Sequence, residues 1–396
     1  MGSKRWPASL AAMGLGLGAL ALVPLTAGAS SAAPQVFRAA HLQVRFDVGI
    51  QRSVTPARLG RLNATTTALK TFTASVTDPV SSKTYKYSMV GTNPAVKGTT
   101  SSTAVTTYLV PLVIKFPGGL SWSPSATNSC DSGATPLART QKSPVFVSRA
   151  WSFGGTAVGT GQYTDAFQRA SFWRYTQPSG TNPGFAVGMT LKTLGALTVS
   201  VPAADAAVAT GGSCGNGDLG AVNVAWLQNY LEKTAIPSLA SKGVKPNTFP
   251  IFLVHNVVAY QGTTANCCIL GYHNAFSVTG GKQTYAFADY ENSGFFSGVT
   301  DVEPLSHEAG EWVDDPAGTN PTAPWGNVGQ VTGCQSNLEV GDPLSGSTIS
   351  VSSNGFTYHV QELAFFSWFY HQSPSLGVKG WYSNNGSFRS YAAHCP

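Results

Sequence analysis

The amino-acid sequence predicts an α/β or α+β protein, with a mixed β-sheet, a few packed helices and a β-rich N-terminal portion. Two nearly continuous runs of apolar and β-branched residues, 108–116 and 251–260, are typical of strands that are covered on both faces. Between them, residues 160–175 and 223–233 carry apolar side chains at helical spacing and are each long enough for about three turns. We expect the two runs to form the centre of the sheet.

The two ends of the chain differ from this central part. Residues 34–100 are rich in Thr, Ser and Val, contain turn signals such as Asp78-Pro79, and alternate apolar with polar side chains over 42–46. These features predict short antiparallel strands. Near the C-terminus, the aromatic-rich segment 356–370 predicts a buried strand or strand–helix pair, because aromatic side chains at this density belong in a core.

Composition and length limit the class of protein. The chain has 396 residues, of which 42% are hydrophobic and 11% are charged, and this composition is that of a folded protein and not of a disordered one. We expect three parts: a signal peptide (1–29), the β-rich N-terminal portion (30–105) and a main α/β domain (106–396). The net charge is +6, but the basic residues are scattered, so no nucleic-acid partner is predicted.

The first 29 residues have the layout of a secretory signal peptide. Lys4 and Arg5 precede an apolar run over 10–25, and small residues follow up to Ala29, after which we expect cleavage. The run is interrupted by glycines, and no later stretch offers the roughly 20 apolar residues that a membrane-spanning helix needs. The sequence therefore predicts a secreted, extracellular protein with no membrane partner after cleavage.

Six cysteines form an even set, which in an oxidising compartment indicates disulfides. Six cysteines allow 15 pairings, so the connectivity does not follow from the count. Our expectation is Cys130 with Cys214 and Cys334 with Cys395. The neighbours Cys267 and Cys268 are left for a vicinal bridge or for other partners. The sequence has no CxxC metal cluster, so zinc held by thiolates is not expected.

Acidic residues are concentrated in one part of the chain that has no basic residue. Between Lys282 and Lys379 there is no Lys or Arg, yet eleven of the eighteen acids lie there. In partly buried surroundings, where the dielectric constant is low, neighbouring carboxylates repel one another by roughly several kcal/mol. A bound cation or protonation removes this repulsion. A bound metal ion is the simplest explanation of the pattern.

Six of these acids lie within residues 301–315, which predict a helix. Asp301 is placed near the N-cap, Pro304 falls in the first turn, where its missing N–H costs little, and Asp315-Pro316 ends the helix. At about 100° per residue, apolar side chains gather on one side and acids on the other. An amphipathic surface helix with solvated acids is the alternative to a metal site.

The spacing on the acidic side is that of a metal-binding helix. His307 and Glu311 are separated by four residues and so project from the same face, one turn apart. The arrangement is that of the HExxH metallopeptidase motif with Glu311 in place of the second histidine, and Glu308 would be the general base. One histidine with carboxylates can hold zinc, whereas more oxygen ligands favour calcium, magnesium or manganese. We expect a divalent metal, zinc in the first place and calcium as the alternative.

Residues 306–316 (SHEAGEWVDDP) resemble the SHExxExxxDP signature of uncharacterised secreted bacterial metallopeptidase-like proteins and, more distantly, the plant phosphate-induced (EXORDIUM-like) proteins. Runs around Gly271-Tyr-His273, 338–342 and 162–173 are also similar to the bacterial group. The resemblance implies a metal held by His307, Glu311 and Asp315, with Glu308 as catalytic base and with Glu339 or Asp342 as a further acidic contribution. The chain departs from the signature at Trp312 and at Asp314, which leaves the third ligand ambiguous.

Other histidines allow weaker expectations. His255 lies in an apolar strand pattern and is expected to be a hydrogen-bonded core residue. His273 could face the same cleft as His307, but nothing in its spacing demonstrates that. His359 and Glu362 lie three residues apart, on opposite sides of a strand or on the same side of a helix, and their role stays open.

The function that these features predict is metal-dependent peptide hydrolysis, with a peptide or protein as the substrate. A rival prediction is a non-catalytic extracellular protein that a metal ion braces and that binds cell-wall polysaccharide or a protein partner. A third is a degenerate peptidase that binds zinc without turnover.

Overall fold

The structure is a computed structural model, and it confirms the predicted mixed α/β class. The predicted signal peptide lies outside the residues that it describes, and the division at residue 105 stays a prediction. The described residues are 33–38, 45–48, 68–97, 102–131, 133–214, 218–279, 281–391 and 395.

Strands make up most of the regular structure. In chain order, the strands of the described residues are β1 (Gln35–Arg38), β2 (Arg45–Val48), β3 (Thr71–Thr77), β4 (Thr84–Val90), β5 (Thr103–Lys115), β6 (Ser121–Trp122), β7 (Arg149–Phe153), β8 (Thr156–Gly161), β9 (Val187–Thr193), β10 (Leu197–Ser200), β11 (Ala206–Thr210), β12 (Asp218–Asn223), β13 (Phe249–His255), β14 (Val257–Tyr260), β15 (Cys267–Val278), β16 (Gly281–Tyr290), β17 (Pro321–Val328), β18 (Val331–Asn337), β19 (Thr348–Ser353) and β20 (Phe356–Gln361).

Helices are fewer and shorter. Both predicted helical segments, 160–175 and 223–233, are confirmed, and the first is broken at Phe172. The second continues into a π-helical turn (Leu231–Ala235). The α-helices of the described residues are α1 (Pro136–Lys142), α2 (Tyr163–Ser171), α3 (Trp173–Thr176), α4 (Val224–Tyr230), α5 (Ile236–Ser238), α6 (Glu303–Asp314) and α7 (Phe366–Phe369).

A large mixed sheet is the centre of the fold. Its strand order is β1-β11-β12-β14-β15-β16-β13-β5-β10, with β2 added to β15 and with β6 and β9 added to β5. Strand β13 is parallel to both β5 and β16, whereas β15 is antiparallel to β14 and β16. The second predicted run therefore lies inside this sheet, whereas the first run forms β5, which is one strand from the β10 end of the order.

The second run forms two strands, and the prediction of one strand over 251–260 is wrong in this respect. Asn256 has a φ of 54°, so the extended conformation is interrupted between β13 and β14. Its side-chain Oδ1 accepts the backbone N–H of Asn292 at 3.0 Å. As a result, β13 pairs with β5 and β16, while β14 pairs with β12 and β15.

The N-terminal strands also differ in part from the prediction. Strands β3 and β4 form the expected antiparallel hairpin, but β1 is parallel to β11 and β2 is parallel to β15. These two strands join the large sheet and do not pair with each other, which local turn signals do not reveal. The C-terminal aromatic segment is a strand followed by a helix, β20 and α7, as predicted.

The sheet is covered on both faces, and its strands alternate accordingly. On β13, Ile251 and Leu253 face the core that contains α2, α6 and α7, whereas Phe252 and Val254 face the core that contains α4 and α5. On β16, Ala286 and Ala288 face the core that contains α6, whereas Tyr285 and Phe287 face the core that contains α4. The acidic helix is thus packed over the two alanines of this strand.

Three disulfides join Cys130 to Cys214, Cys267 to Cys268 and Cys334 to Cys395. Both predicted pairs are confirmed, and of the two alternatives for Cys267 and Cys268 the structure has the vicinal bridge. Disulfides are typical of proteins that reach an oxidising compartment. None of the helices in the described part of the chain combines the length and the hydrophobicity of a transmembrane segment.

Candidate metal centre

The acids between Lys282 and Lys379 are buried, and this rules out the alternative of a solvated surface helix. Every residue of α6 is buried, on the acidic side as well as on the apolar side. A buried carboxylate that has no compensating charge or hydrogen bond destabilises the fold by on the order of several kcal/mol. Each of these groups therefore needs a partner, a proton or a cation. The buried acids are Asp289, Glu291, Asp301, Glu303, Glu308, Glu311, Asp314, Asp315, Glu339, Asp342 and Glu362.

Close packing fixes the position of α6. The Trp312 ring stacks on Phe249 with ring centroids 3.8 Å apart, and the indole N–H donates to Thr284 Oγ1 at 3.1 Å. A Cβ added at Gly310 would lie 2.4 Å from Leu363 Cδ1, which explains a glycine in the middle of the helix. The helix is therefore pressed onto β16 and onto the segment after β20.

The start of α6 differs from the prediction. Val302 is the N-cap residue and makes no side-chain capping bond. Asp301, the predicted cap, has a φ of 45° and uses its carboxylate to bind His359, whose Nδ1 lies 2.7 Å away. Pro304 does lie in the first turn, as predicted. The Asp301 carboxylate therefore bonds a residue of β20 and does not cap α6.

His307 is oriented by Gln361. The Gln361 side-chain amide nitrogen donates to Gly341 O, so its carbonyl oxygen accepts from His307 Nδ1 at 2.8 Å. The other ring nitrogen, Nε2, then faces Glu311 Oε1 at 3.0 Å and Asp342 Oδ1 at 3.6 Å. A carbonyl that fixes the imidazole in this way is the usual support of a metal-binding histidine.

Asp342 reaches the centre from a 3₁₀ turn (Asp342–Leu344). The side-chain amides of Gln330 and Gln335 both donate to its carboxylate, the second at 3.2 Å. The residue before it must be glycine, because a Cβ at Gly341 would lie 2.5 Å from His307 Cε1. The turn can therefore approach the imidazole closely.

His273 enters the same centre from β15. Its Nε2 lies 3.0 Å from the backbone oxygen of Asp315, and its Nδ1 lies 3.2 Å from Glu308 Oε2 and 3.6 Å from Glu311 Oε2. Two residues earlier on the same face, Gly271 leaves the space that Glu308 fills, because a Cβ there would lie 2.7 Å from Glu308 Oε1.

Two groups of side chains could each hold a metal ion, and they share one residue. The first is His307, Glu311 and Asp342, and the second is His273, Glu308 and Glu311; in each group the candidate ligand atoms lie within 4.8 Å of one another. Glu311 offers Oε1 to one histidine and Oε2 to the other. One imidazole nitrogen with two carboxylates is a donor set that zinc and manganese accept.

The protonation of these groups reflects their burial and their opposite charges. Burial lowers the pKa of His273, but its hydrogen bonds and charge interactions with Glu308 and Glu311 outweigh this and raise it to about 10. Burial raises the pKa of Glu308 to about 7, against the lowering effect of His273 and His307. Burial also opposes ionisation of Glu311, yet the two histidines lower its pKa below the usual range. Glu311 is therefore the carboxylate most strongly held in its charged form.

The other predicted acids are placed differently. The Asp315 carboxylate accepts the backbone N–H groups of Thr319 and Asn320 at 2.9 and 2.6 Å, and it belongs to neither group. Asp314 accepts the side-chain amide of Gln168. Glu339 accepts from Asn337 at 3.2 Å, and burial together with Glu311 raises its pKa well above the usual range. The structure thus brings together His307, Glu308, Glu311 and Asp342, and not Asp315.

Two contributors were not identified as site residues from the sequence. The spacing of His273 does not show that it faces His307, although a glycine inside a strand marks a close approach and alternation places His273 on the face of Gly271. Gln361 has no signal in the sequence, since it is one of several polar residues in the aromatic-rich segment 356–370. His255 is hydrogen-bonded, as expected, with its Nε2 2.9 Å from Asn292 Oδ1.

Comparison with protein-family models, with curated proteins and with solved structures gives no match to this chain. The geometry of the buried histidines and carboxylates is therefore the structural basis for assigning a function to this site.

Proposed function

We propose that the protein is an extracellular metal-dependent hydrolase that acts on peptides, with its cation held by His307, Glu311 and Asp342. The observation that carries the proposal is the convergence of His307 Nε2 with two carboxylates while Gln361 fixes the opposite side of the ring. Peptides are the substrate class that the resemblance of residues 306–316 to metallopeptidase-like proteins implies.

The donor set favours zinc over calcium. Calcium takes oxygen ligands almost exclusively, whereas zinc combines histidine nitrogen with carboxylate oxygen. In the proposed centre, one nitrogen and one carboxylate come from α6, and the second carboxylate comes from the 3₁₀ turn. A cation bound there supplies Lewis acidity, which polarises a carbonyl group and lowers the pKa of water.

Glu308 is the proton acceptor in this proposal. It follows His307 directly on α6, its Oε2 lies 3.2 Å from His273 Nδ1, and its Oε1 has no hydrogen-bond partner among the described residues. Its raised pKa, about 7, is close to that of an efficient general base at neutral pH. His273 would hold the carboxylate in position as it takes up the proton.

A second candidate function is favoured by the burial of the centre. His307 and Glu311 are almost fully buried, and the Asp342 side chain is only 10% exposed. A cavity of about 710 Å³ lies elsewhere, where Asp301 and His359 are among its lining residues. In this candidate, the cation braces α6 against the 3₁₀ turn without catalysis, and the protein binds cell-wall polysaccharide or a partner elsewhere.

Metal analysis and a peptide-cleavage assay separate the two candidates. We expect the purified protein to contain zinc, and Glu308→Gln to retain the cation at the His307 group while cleavage of a mixed peptide library falls by about 10²–10⁴-fold. Glu303→Gln is the matched control, because Glu303 is a buried acid of the same helix outside both groups. Bound metal without cleavage by the wild-type protein would support the brace. A wild-type protein that binds no divalent cation would contradict both candidates.

A further inference from the structure

We propose that a second divalent cation binds to His273, Glu308 and Glu311, so that Glu311 bridges two cations through its two carboxylate oxygens. The proposal shares with the proposed function the metal ion at His307, but it does not depend on catalysis. It is carried by the direction of the His273 ring, by an unpartnered oxygen of Glu308 and by the position of Glu311.

The direction of the His273 ring is fixed from outside the centre. Its Nε2 lies 3.0 Å from the backbone oxygen of Asp315, which can only accept, so the Nε2 proton is used there. The opposite nitrogen, Nδ1, faces Glu308 Oε2 at 3.2 Å and Glu311 Oε2 at 3.6 Å. The protonated ring donates Nδ1–H to these carboxylates, whereas the neutral ring points the Nδ1 lone pair at them, so a divalent cation can bind between the ring and the carboxylates in place of that proton.

The two histidines are supported in the same way. His307 uses Nδ1 on the carbonyl oxygen of Gln361, and His273 uses Nε2 on the carbonyl oxygen of Asp315. Each ring then directs its other nitrogen at a different oxygen of Glu311. The geometry that supports a cation beside His307 is therefore present beside His273 as well.

Glu308 supplies the independent observation. The residue is completely buried, and its Oε1 has no hydrogen-bond partner among the described residues. Leaving a buried charged oxygen without a partner is strongly unfavourable. Gly271 admits this carboxylate to the face of β15, since a Cβ there would lie 2.7 Å from Oε1. The chain thus makes room for a carboxylate and leaves one of its oxygens available for a ligand.

The charges in the centre point to the same conclusion. Glu308, Glu311 and Asp342 are three carboxylates in contact with two histidines, and no Lys or Arg occurs between residues 282 and 379. Pairs of cations bridged by a carboxylate are a common arrangement in hydrolytic enzymes. When the second cation is bound, Glu308 is a ligand and cannot accept a proton, so the hydrolysis proposed above belongs to the form that holds only the His307 cation, and the second cation would inhibit it.

Metal stoichiometry of the disulfide-intact protein tests the inference. After removal of metal by a chelator and titration with Zn²⁺, native mass spectrometry should find two equivalents for the wild-type protein. His273→Gln and Asp342→Asn should each retain one, and Glu311→Gln should retain none. The matched control Glu303→Gln should retain two. The variants need not all fold, so a measurement on the wild-type protein is required as well.

Electron paramagnetic resonance of the Mn²⁺-loaded wild-type protein is that measurement. Two Mn²⁺ ions that share Glu311 should give an exchange-coupled signal at two equivalents, and an isolated Mn²⁺ signal at one. Saturation at one equivalent, with no coupled signal and no change in His273→Gln, would overturn the inference and identify His273 and Glu308 as an ion pair, with the His307 site intact. No binding at all would instead remove the proposed function together with it.

Discussion

The two faces of the central sheet treat a buried glutamate in opposite ways. On the α4 side, Glu232 is buried, and its Oε1 accepts from the Tyr285 hydroxyl at 2.9 Å and from the Asn274 amide at 3.0 Å. On the α6 side, Glu308 and Glu311 face histidine nitrogens, and Glu308 Oε1 has no partner among the described residues. Neutral donors satisfy the first acid, whereas the others need a proton or a cation.

This difference separates an acid with a purely structural role from one that could hold a metal ion. A carboxylate that accepts hydrogen bonds from neutral donors is already satisfied in the fold. A carboxylate that faces imidazole nitrogens, each fixed by a carbonyl on its far side, has a partner that changes with protonation or metal binding. The face of the sheet with small side chains, such as Ala286 and Ala288, is the one that has room for the second arrangement.

The largest expected effect lies on the α4 face. Phe252 is completely buried there, so Phe252→Ala should lower the free energy of unfolding by about 3–5 kcal/mol. Bound metal per folded molecule should not change, because the side chain faces away from α6. Chemical denaturation and metal analysis check this. The exposed Val80 offers a control, since Val80→Ala should change stability by less than about 0.5 kcal/mol. Loss of metal in folded Phe252→Ala would show that the two faces are not independent.

A smaller effect is expected where α6 meets Leu363. Gly310→Ala places a methyl group 2.4 Å from Leu363 Cδ1, and we expect a loss of about 1–3 kcal/mol from overpacking, despite the better helix propensity of alanine. Since Glu311 is the next residue, metal affinity should fall as well. Gly195→Ala is the control, because nothing lies within 4 Å of a Cβ there. A more stable Gly310→Ala protein would contradict the close packing described for this helix.

The smallest effect concerns His359 and Asp301. Their hydrogen bond raises the pKa of His359, against the opposing effect of burial. The pair therefore stabilises the fold fully below the unfolded pKa of about 6.5 and loses this contribution as the pH rises through the raised value. His359→Gln should cost up to about 1 kcal/mol at low pH and less above neutrality. Urea denaturation of both proteins from about pH 5 to about pH 9, a range that includes the histidine pKa, measures this difference in unfolding free energy. A difference that grows with pH would have the wrong sign.

Local signals predicted the parts of the site that lie within one helix. Pro304 and the four-residue spacing of His307 and Glu311 were sufficient to predict α6 and the convergence of these two side chains. Asp342 was one of two acids that the resemblance to metallopeptidase-like proteins offered, and the structure brings it, and not Asp315, to the imidazole. The Asp315 carboxylate is used by the turn that ends the helix, a competition that a motif does not show.

Contacts between distant segments were not predictable in the same way. His273 lies on a strand whose position depends on pairing with β14 and β16, and Gln361 lies on a hairpin that packs against α6. Likewise, the Asp301 carboxylate bonds His359 and the N–H of Val302 instead of acting as the N-cap of α6, and Asn256 divides the predicted strand. In each case a hydrogen bond between distant segments outweighs a local preference. Such a bond cannot be predicted from the spacing of residues along the sequence.

The two close approaches by glycine have a consequence for evolution. At Gly271 and Gly341 even a methyl group would collide with Glu308 or with His307, so descendants of this chain that keep the centre should keep both glycines. Lineages that have lost it would be free to acquire larger residues there. The paired presence of Gly-x-His and Gly-Asp around the helix motif would then mark inheritance of the centre more faithfully than the motif alone.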